Sequence, residues 1–126
     1  MIKTDILIIG AGPTGLFTVF EAGLLKMKCH ILDSLTQPGG QCIELYPKKP
    51  IYDIPGYPEI IAGDLIENLL EQIKPFQPSY TLGETALNMD KLDDGSFKVT
   101  TDKGTEILAK IKIKSKSCGT FLQVPP

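Results

Sequence analysis

The stretch Asp5-Ile6-Leu7-Ile8-Ile9-Gly10-Ala11-Gly12-Pro13-Thr14-Gly15 decides the fold of this 126-residue chain. Its first five residues include a continuous aliphatic run, which is typical of a strand buried on both faces. From Leu16 onward, apolar residues recur at helical spacing, and residues 28–33 predict a second short strand. A strand, a glycine turn, a helix and a strand together predict a βαβ unit.

The glycines of this stretch have the spacing G-x-G-x-x-G, and each has a physical task. Gly10 permits the tight turn out of the strand, Gly12 lets the backbone approach a diphosphate, and Gly15 lets the helix pack close to the sheet. Pro13 suits the first helical turn, where its missing N–H is not needed. The pattern predicts a dinucleotide site at the start of the helix. The alternative is a tight strand–helix turn that binds no ligand.

An acidic residue supports the ligand-binding interpretation. Asp33 ends the second strand, roughly 18 residues after Gly15, where a carboxylate can accept hydrogen bonds from the ribose hydroxyls of an adenosine. The same charge repels a 2′-phosphate, so we expect this site to disfavour NADP. The glycine turn and the acid together favour an adenine dinucleotide.

Composition excludes several other classes of protein. The net charge of −2 offers no general attraction to nucleic acid or to anionic membranes, and we expect neither as a partner. The apolar run at residues 6–9 is too short for a membrane span or a signal peptide. Three cysteines, with no C-x-x-C pair and a single histidine, favour reduced thiols in a cytoplasmic protein that holds no metal.

The rest of the chain predicts a long segment, a helix and three strands. Residues 34–63 are rich in proline and glycine but also in large apolar groups, so we expect this segment to be ordered against the protein itself or against a ligand. A helix is predicted to open at Asp64, with Glu67 completing a capping arrangement. Residues 85–92, 96–101 and 106–113 predict strands separated by turns, as in an antiparallel meander.

The long segment separates two kinds of dinucleotide. Gln37-Pro38-Gly39-Gly40-Gln41 forms a second glycine cluster, placed to approach a ligand that extends beyond the adenosine. A simple nicotinamide-binding domain would continue with another strand–helix unit at this point. The cluster and the meander therefore favour FAD over NAD.

Several motifs resemble those of one family, the thioredoxin-reductase-like ferredoxin/flavodoxin–NADP⁺ reductases of bacteria. They are Gly10-Ala11-Gly12-Pro13-Thr14-Gly15, Asp33, Gly39-Gly40-Gln41, Leu45-Tyr46-Pro47 and Ile51-Tyr52-Asp53-Ile54-Pro55-Gly56. The resemblance implies an α/β, Rossmann-like FAD-binding domain with a three-stranded meander. It also implies FAD contacts at the following positions: Thr14 at the diphosphate, Asp33 at the ribose, and Gly40, Gln41, Tyr46, Ala86 and Phe121 near the flavin.

The resemblance also implies an activity. Enzymes of this family take a hydride from NADPH onto FAD and pass single electrons to ferredoxin or flavodoxin, and they are homodimers. No side-chain acid, base or nucleophile is expected to be catalytic, because the cofactor carries the chemistry. The family's NADPH-binding domain would follow residues 1–126, so we expect these residues alone to be inactive.

The end of the sequence departs from the family. Where a strongly apolar strand is expected, residues 111–119 carry lysine at alternating positions, namely Lys112, Lys114 and Lys116, which predicts a strand with one solvated face. Two alternatives therefore stay open beside the reductase. One is a non-catalytic remnant that binds FAD weakly or self-associates through its sheet edge. The other is a fragment of a thioredoxin reductase.

Overall fold

The computed structural model describes residues 1–39 and 48–114. These residues form two α-helices, a short 3₁₀ turn and eight strands. In chain order the elements are β1 (Ile2–Ile9), α1 (Pro13–Leu24), β2 (Cys29–Asp33), β3 (Pro50–Ile51), β4 (Ile60–Ile61), α2 (Ala62–Ile73), the 3₁₀ turn (Lys74–Phe76), β5 (Ser79–Leu82), β6 (Ala86–Lys91), β7 (Phe97–Thr101) and β8 (Glu106–Lys114).

The predicted βαβ unit is confirmed. β1 and β2 are parallel neighbours, with Ile6 opposite Cys29 and Ile9 opposite Leu32. Ile6 and Ile8 pack in the core beneath the helices, whereas Leu7 packs in a second core on the other face of the sheet. Because both faces of β1 are covered, its sequence is continuously aliphatic instead of alternating.

The predicted meander is also confirmed, and it joins the parallel strands in one sheet. The strand order is β5-β2-β1-β8-β7-β6, in which β6, β7 and β8 are antiparallel. β8 has two roles, because it pairs with β7 through residues 106–109 and runs parallel to β1 through residues 107–114. Val99, Ile107 and Ala109 of the meander bury Leu7 and Leu32 on the face away from the helices.

One parallel strand was not predicted. β5 pairs with β2 and places Ser79 opposite His30 and Leu82 opposite Asp33. Its sequence, Ser-Tyr-Thr-Leu, is short, partly exposed and follows a proline, so it lacks the apolar run of a buried strand. β5 is stabilised by its pairing with β2, because its own sequence has only a weak preference for a strand.

The predicted cap of the second helix is wrong. α2 begins at Ala62 with Ile61 as its N-cap, and no side chain forms a cap hydrogen bond. Asp64 lies inside the first turn because β4 leads directly into the helix. At that position its negative charge interacts favourably with the positive end of the helix dipole, although it accepts no cap hydrogen bond.

The apolar residues of the long segment pack on the protein itself in the part that is described. β3 and β4 form a small antiparallel pair, which buries Ile51 and Ile60 in the core beneath the helices, and Ile54 packs against the same core. The predicted order of this segment is therefore confirmed for residues 48–63. These three isoleucines pack in or against the protein core, so their apolar character is explained without a ligand.

The single histidine of the chain joins β2 to β5. His30 is 2% exposed, and its ring nitrogens lie 2.6 Å from the Ser79 and Thr81 hydroxyls. Burial lowers the pKa of His30 below its ordinary value of 6.5, with Glu84 acting weakly in the opposite direction. His30 is therefore neutral in the folded protein at neutral pH.

This histidine should make stability depend on pH in a narrow window. Below pH 6.5 the unfolded chain binds more protons than the folded chain, so the free energy of unfolding should fall as the pH drops from about 6.5 toward the folded-state pKa. Urea unfolding across this range should show the fall in the natural chain and not in His30→Gln. The carboxylates with lowered pKa values lose their contribution only near or below about pH 4.5. Parallel pH profiles for the two proteins would contradict the assignment.

Candidate functional site

The glycine turn leaves β1 through a backbone conformation that suits glycine. Gly10 has a φ of 112°, which lies in the region that side chains disfavour. Its N–H donates to the Leu32 carbonyl at 2.8 Å, so the turn is held against the end of β2. Gly12 is then extended, with φ −76° and ψ −177°, and serves as the N-cap of α1.

The start of α1 offers backbone donors. Pro13 is the first helical residue, and the first intrahelical bond runs from the Leu16 N–H to the Gly12 carbonyl at 3.0 Å. The N–H groups of Thr14 and Gly15 therefore have no acceptor inside the helix. Within the described part of the chain no side chain caps this end, and no acidic residue lies in the first turn. The partial positive charge of the helix N-terminus suits an anion here.

Asp33 lies at this turn, as its position in the sequence predicts. One carboxylate oxygen accepts a hydrogen bond from the Ala11 N–H at 2.6 Å, and the other accepts one from the Leu35 N–H at 2.9 Å. An ionised carboxylate has about four acceptor positions, so the bonds made by residues 1–39 and 48–114 leave two for hydroxyl donors. Asp33 is partly buried, which leaves its carboxylate within reach of a ligand.

The second glycine cluster reaches the first in its described part. Gly39 is buried with a φ of 114°, and its N–H donates to the Ala11 carbonyl at 2.7 Å. Ala11 is thus bonded to Asp33 through its N–H and to Gly39 through its carbonyl. The predicted contacts at Gly40, Gln41, Tyr46 and Phe121 lie outside the described residues.

The backbone just before Ala86 is hydrogen-bonded to the end of β2. The Glu84 N–H donates to the Asp33 carbonyl at 3.2 Å, and the Gly83 N–H donates to the Leu35 carbonyl at 3.0 Å. β6 begins two residues after Glu84, with Ala86 partly buried. The contact of Ala86 with the flavin stays a prediction, and these bonds connect the segment just before β6 to Asp33 and Leu35.

Sequence reasoning missed the group that supports this arrangement. One carboxylate oxygen of Glu84 accepts hydrogen bonds from the Thr101 and Thr105 hydroxyls, each at 2.6 Å. The Thr101 bond is the largest of the causes that lower the pKa of Glu84. These bonds attach the link between β5 and β6 to the β7–β8 turn. The bonds join residues that are 17 and 21 positions apart, so no local sequence pattern predicts them.

A cleft adjoins the start of α1 on its outer side. It has a volume of about 600 Å³ and lies between α1, α2 and residues 54–57. Pro13 and Thr14 form its end nearest the glycine turn, whereas Asp33 does not contribute to it. The cleft therefore borders the predicted site without containing its acidic residue.

The described residues were also compared with the requirements of a metal site, a membrane span and a reactive thiol. No cluster of three histidine, cysteine or carboxylate groups capable of holding a metal occurs in residues 1–39 and 48–114. No helix in these ranges has the length and apolar character needed to cross a membrane. Cys29 is a buried free thiol, and loss of hydration raises its pKa to about 11, so it is protonated at neutral pH. Cys42 and Cys118 lie outside the described residues.

The fold defines a class of protein before any sequence is compared. A solved structure of thioredoxin reductase from Streptococcus pyogenes superposes with a TM-score of 0.75, at 25% identity, over 89% of this chain and 34% of that one. Bacillithiol disulfide reductase from Staphylococcus aureus gives a TM-score of 0.73 at 20% identity over 93% of this chain and 39% of that one. The chain therefore has the predicted Rossmann-type α/β fold of thioredoxin-reductase-like proteins.

Sequence similarity is more particular. The chain is 67% identical to ferredoxin–NADP reductase 1 of Christiangramia forsetii and 74% identical to ferredoxin–NADP reductase of Flavobacterium psychrophilum, each over 121 residues. The matched region is 96% of this chain and 34% of each relative, so the chain spans about a third of their length. No protein-family model matches the sequence. The predicted resemblance to ferredoxin–NADP reductases is confirmed.

The contacts of Asp33 predict a cost to folding that is independent of any ligand. Asp33→Ala leaves the N–H groups of Ala11 and Leu35 without an acceptor, and we expect the free energy of unfolding to fall by about 1–3 kcal/mol. Urea unfolding of the ligand-free protein measures this. The exposed Glu71→Ala on α2 is the control and should change stability by less than about 0.5 kcal/mol. Equal stability of the two variants would show that the bonds of Asp33 are dispensable.

Proposed function

We propose that this chain is the FAD-binding portion of an NADPH-dependent flavoprotein oxidoreductase of the ferredoxin–NADP reductase type. The observation that carries the proposal is the 2.6 Å bond between the Asp33 carboxylate and the Ala11 N–H. It brings the acid that suits a ribose to the turn that suits a diphosphate. Two groups predicted separately from the sequence are thus adjacent in space.

The described residues fit an adenine dinucleotide. The amides of Thr14 and Gly15 would hold the diphosphate, with Gly10, Gly12 and Pro13 shaping the turn that lets it approach. The two acceptor positions of Asp33 that the described residues leave open match the two hydroxyls of a ribose. By resemblance, Gln41, Tyr46, Ala86 and Phe121 would serve the flavin end.

The chemistry belongs to the cofactor. When bound, the flavin accepts a hydride from NADPH and releases single electrons to an acceptor. The part of the chain described here contributes position: the glycine turn fixes the diphosphate, and Asp33 fixes the sugar. Cys29 cannot serve as a nucleophile at neutral pH, because its thiol is buried and its pKa is raised to about 11.

Identity favours a ferredoxin reductase over a thioredoxin reductase. The named ferredoxin–NADP reductases share 67% and 74% of aligned residues with the chain, whereas the thioredoxin reductase shares 25%. By the same relationship we propose ferredoxin or flavodoxin as the electron acceptor, a homodimeric state and a cytoplasmic location. The NADPH site belongs, in this proposal, to the part of the relatives that the chain does not span.

An open edge of the sheet supports a second candidate function. β7 pairs with β8 only as far as Ala109, and Ile111 beyond it is 42% exposed. An open strand edge can self-associate. A non-catalytic remnant that associates through this edge, and that holds FAD weakly or not at all, is the alternative.

Titration with FAD separates these functions. We expect the purified chain to take up FAD with a shift of its visible spectrum, and Asp33→Ala to weaken binding by about 1–3 kcal/mol, because the ribose loses its acceptor. Circular dichroism should verify that the variant is folded at the temperature used. Glu71→Ala should bind as the natural chain does. A natural chain that stays colourless with excess FAD would favour the remnant.

A second test concerns turnover. With FAD loaded, we expect residues 1–126 alone not to oxidise NADPH in the presence of ferredoxin, because the chain spans about a third of the reductases it matches. NADPH absorbance measures this, with a full-length ferredoxin–NADP reductase as the positive control. NADPH-dependent bleaching of the flavin and steady turnover by the chain would refute this expectation.

A further inference from the structure

The last described residue of β8 lies beside the glycine turn. β8 runs parallel to β1, and the register places Lys114 opposite Ile9, the residue before Gly10. Neighbouring strands are about 4.8 Å apart, so the Lys114 backbone is one strand spacing from the end of β1. Its side chain is exposed and, like that of Ile9 opposite it, starts on the meander face of the sheet, so its ammonium reaches the turn by passing over the carboxyl edge.

Charge is unevenly distributed along this edge. On one side of the glycine turn, β2 ends at Asp33 and β5 is followed by Glu84. On the other side, β8 ends at Lys114. Residues 10–16, 33–39 and 82–85, which follow or end the other parallel strands, include no lysine or arginine. Among the described ends of the parallel strands, Lys114 is therefore the residue that places a positive charge at this edge.

The other lysines of β8 are occupied elsewhere. The Lys110 ammonium lies 3.3 Å from an Asp5 carboxylate oxygen, toward the far end of β1. The Lys112 ammonium lies 5.0 Å from the centroid of the Phe97 ring and 3.4 Å from the Met89 sulfur. The expected solvated face is therefore only partly realised, because Lys112 packs on the meander. Among the described residues, no carboxylate pairs with Lys114.

We propose that Lys114 is a further ligand-binding residue, whose ammonium neutralises the diphosphate of the dinucleotide at the glycine turn. This inference rests on the proposed function. The turn supplies only neutral amides, and Asp33 adds a negative charge close to a ligand that is itself anionic. A flexible ammonium one strand away offsets this repulsion and acts as a point charge toward phosphate oxygens.

The test compares ligands that do and do not carry the diphosphate. FAD, ADP and adenosine are titrated into the natural chain, Lys114→Met and the control Lys110→Met at low ionic strength. We expect Lys114→Met to weaken FAD and ADP about threefold to fivefold, as one partly exposed charge pair allows, and to leave adenosine unchanged. Lys110→Met should match the natural chain. In 1 M NaCl, where screening acts over about 3 Å, the difference should disappear.

The outcomes separate this inference from the proposed function. If the natural chain binds FAD and Lys114→Met binds FAD and ADP equally well, the role of Lys114 is overturned while the FAD site stands. A natural chain that binds neither FAD nor ADP overturns both. Lys114→Arg keeps the charge and should keep the affinity, so a loss in this variant would also count against the proposal, provided that circular dichroism shows it folded.

Discussion

The hydrogen bond between the Asp33 carboxylate and the Ala11 N–H is the contact on which the site depends. It joins the end of β2 to the turn that leaves β1, and the Gly10 N–H bond to the Leu32 carbonyl repeats the connection one residue earlier in each segment. Without these bonds, the glycine turn and the acid would be two separate features of a common fold. With them, donors for an anion and acceptors for hydroxyls lie at one edge of the sheet.

The rest of the architecture serves to hold that edge. Two cores, one beneath the helices and one beneath the meander, bury both faces of β1 and so fix the strand that carries the turn. β5 extends the sheet past β2, and the Glu84 N–H that follows it returns to the Asp33 carbonyl. Glu84 is in turn held by Thr101 and Thr105, so the meander reaches the acid as well as covering the sheet.

The elements whose stability depends on nearby residues could be predicted from the sequence. The aliphatic run before Gly10, the helix after Pro13 and the three meander strands were all recognisable, because burial and turn chemistry act within a few residues. β5 was not recognisable, since its stability comes from pairing with β2 and from the hydroxyls that meet His30. The bond between Glu84 and Asp33 and the position of Lys114 opposite Ile9 depend on long-range pairing, which a single sequence does not display.

We propose that an adenosine diphosphate group lies on the amides at the start of α1 with its sugar on Asp33. The most direct measurement is a titration of the isotopically labelled chain with ADP, followed by the amide resonances of each residue. We expect the largest shifts at Gly12, Thr14, Gly15 and Leu35, and no shift at Glu67 and Glu71 on the exposed side of α2. Shifts confined to the cleft between α1 and α2, or none at the glycine turn with ADP in excess, would contradict it.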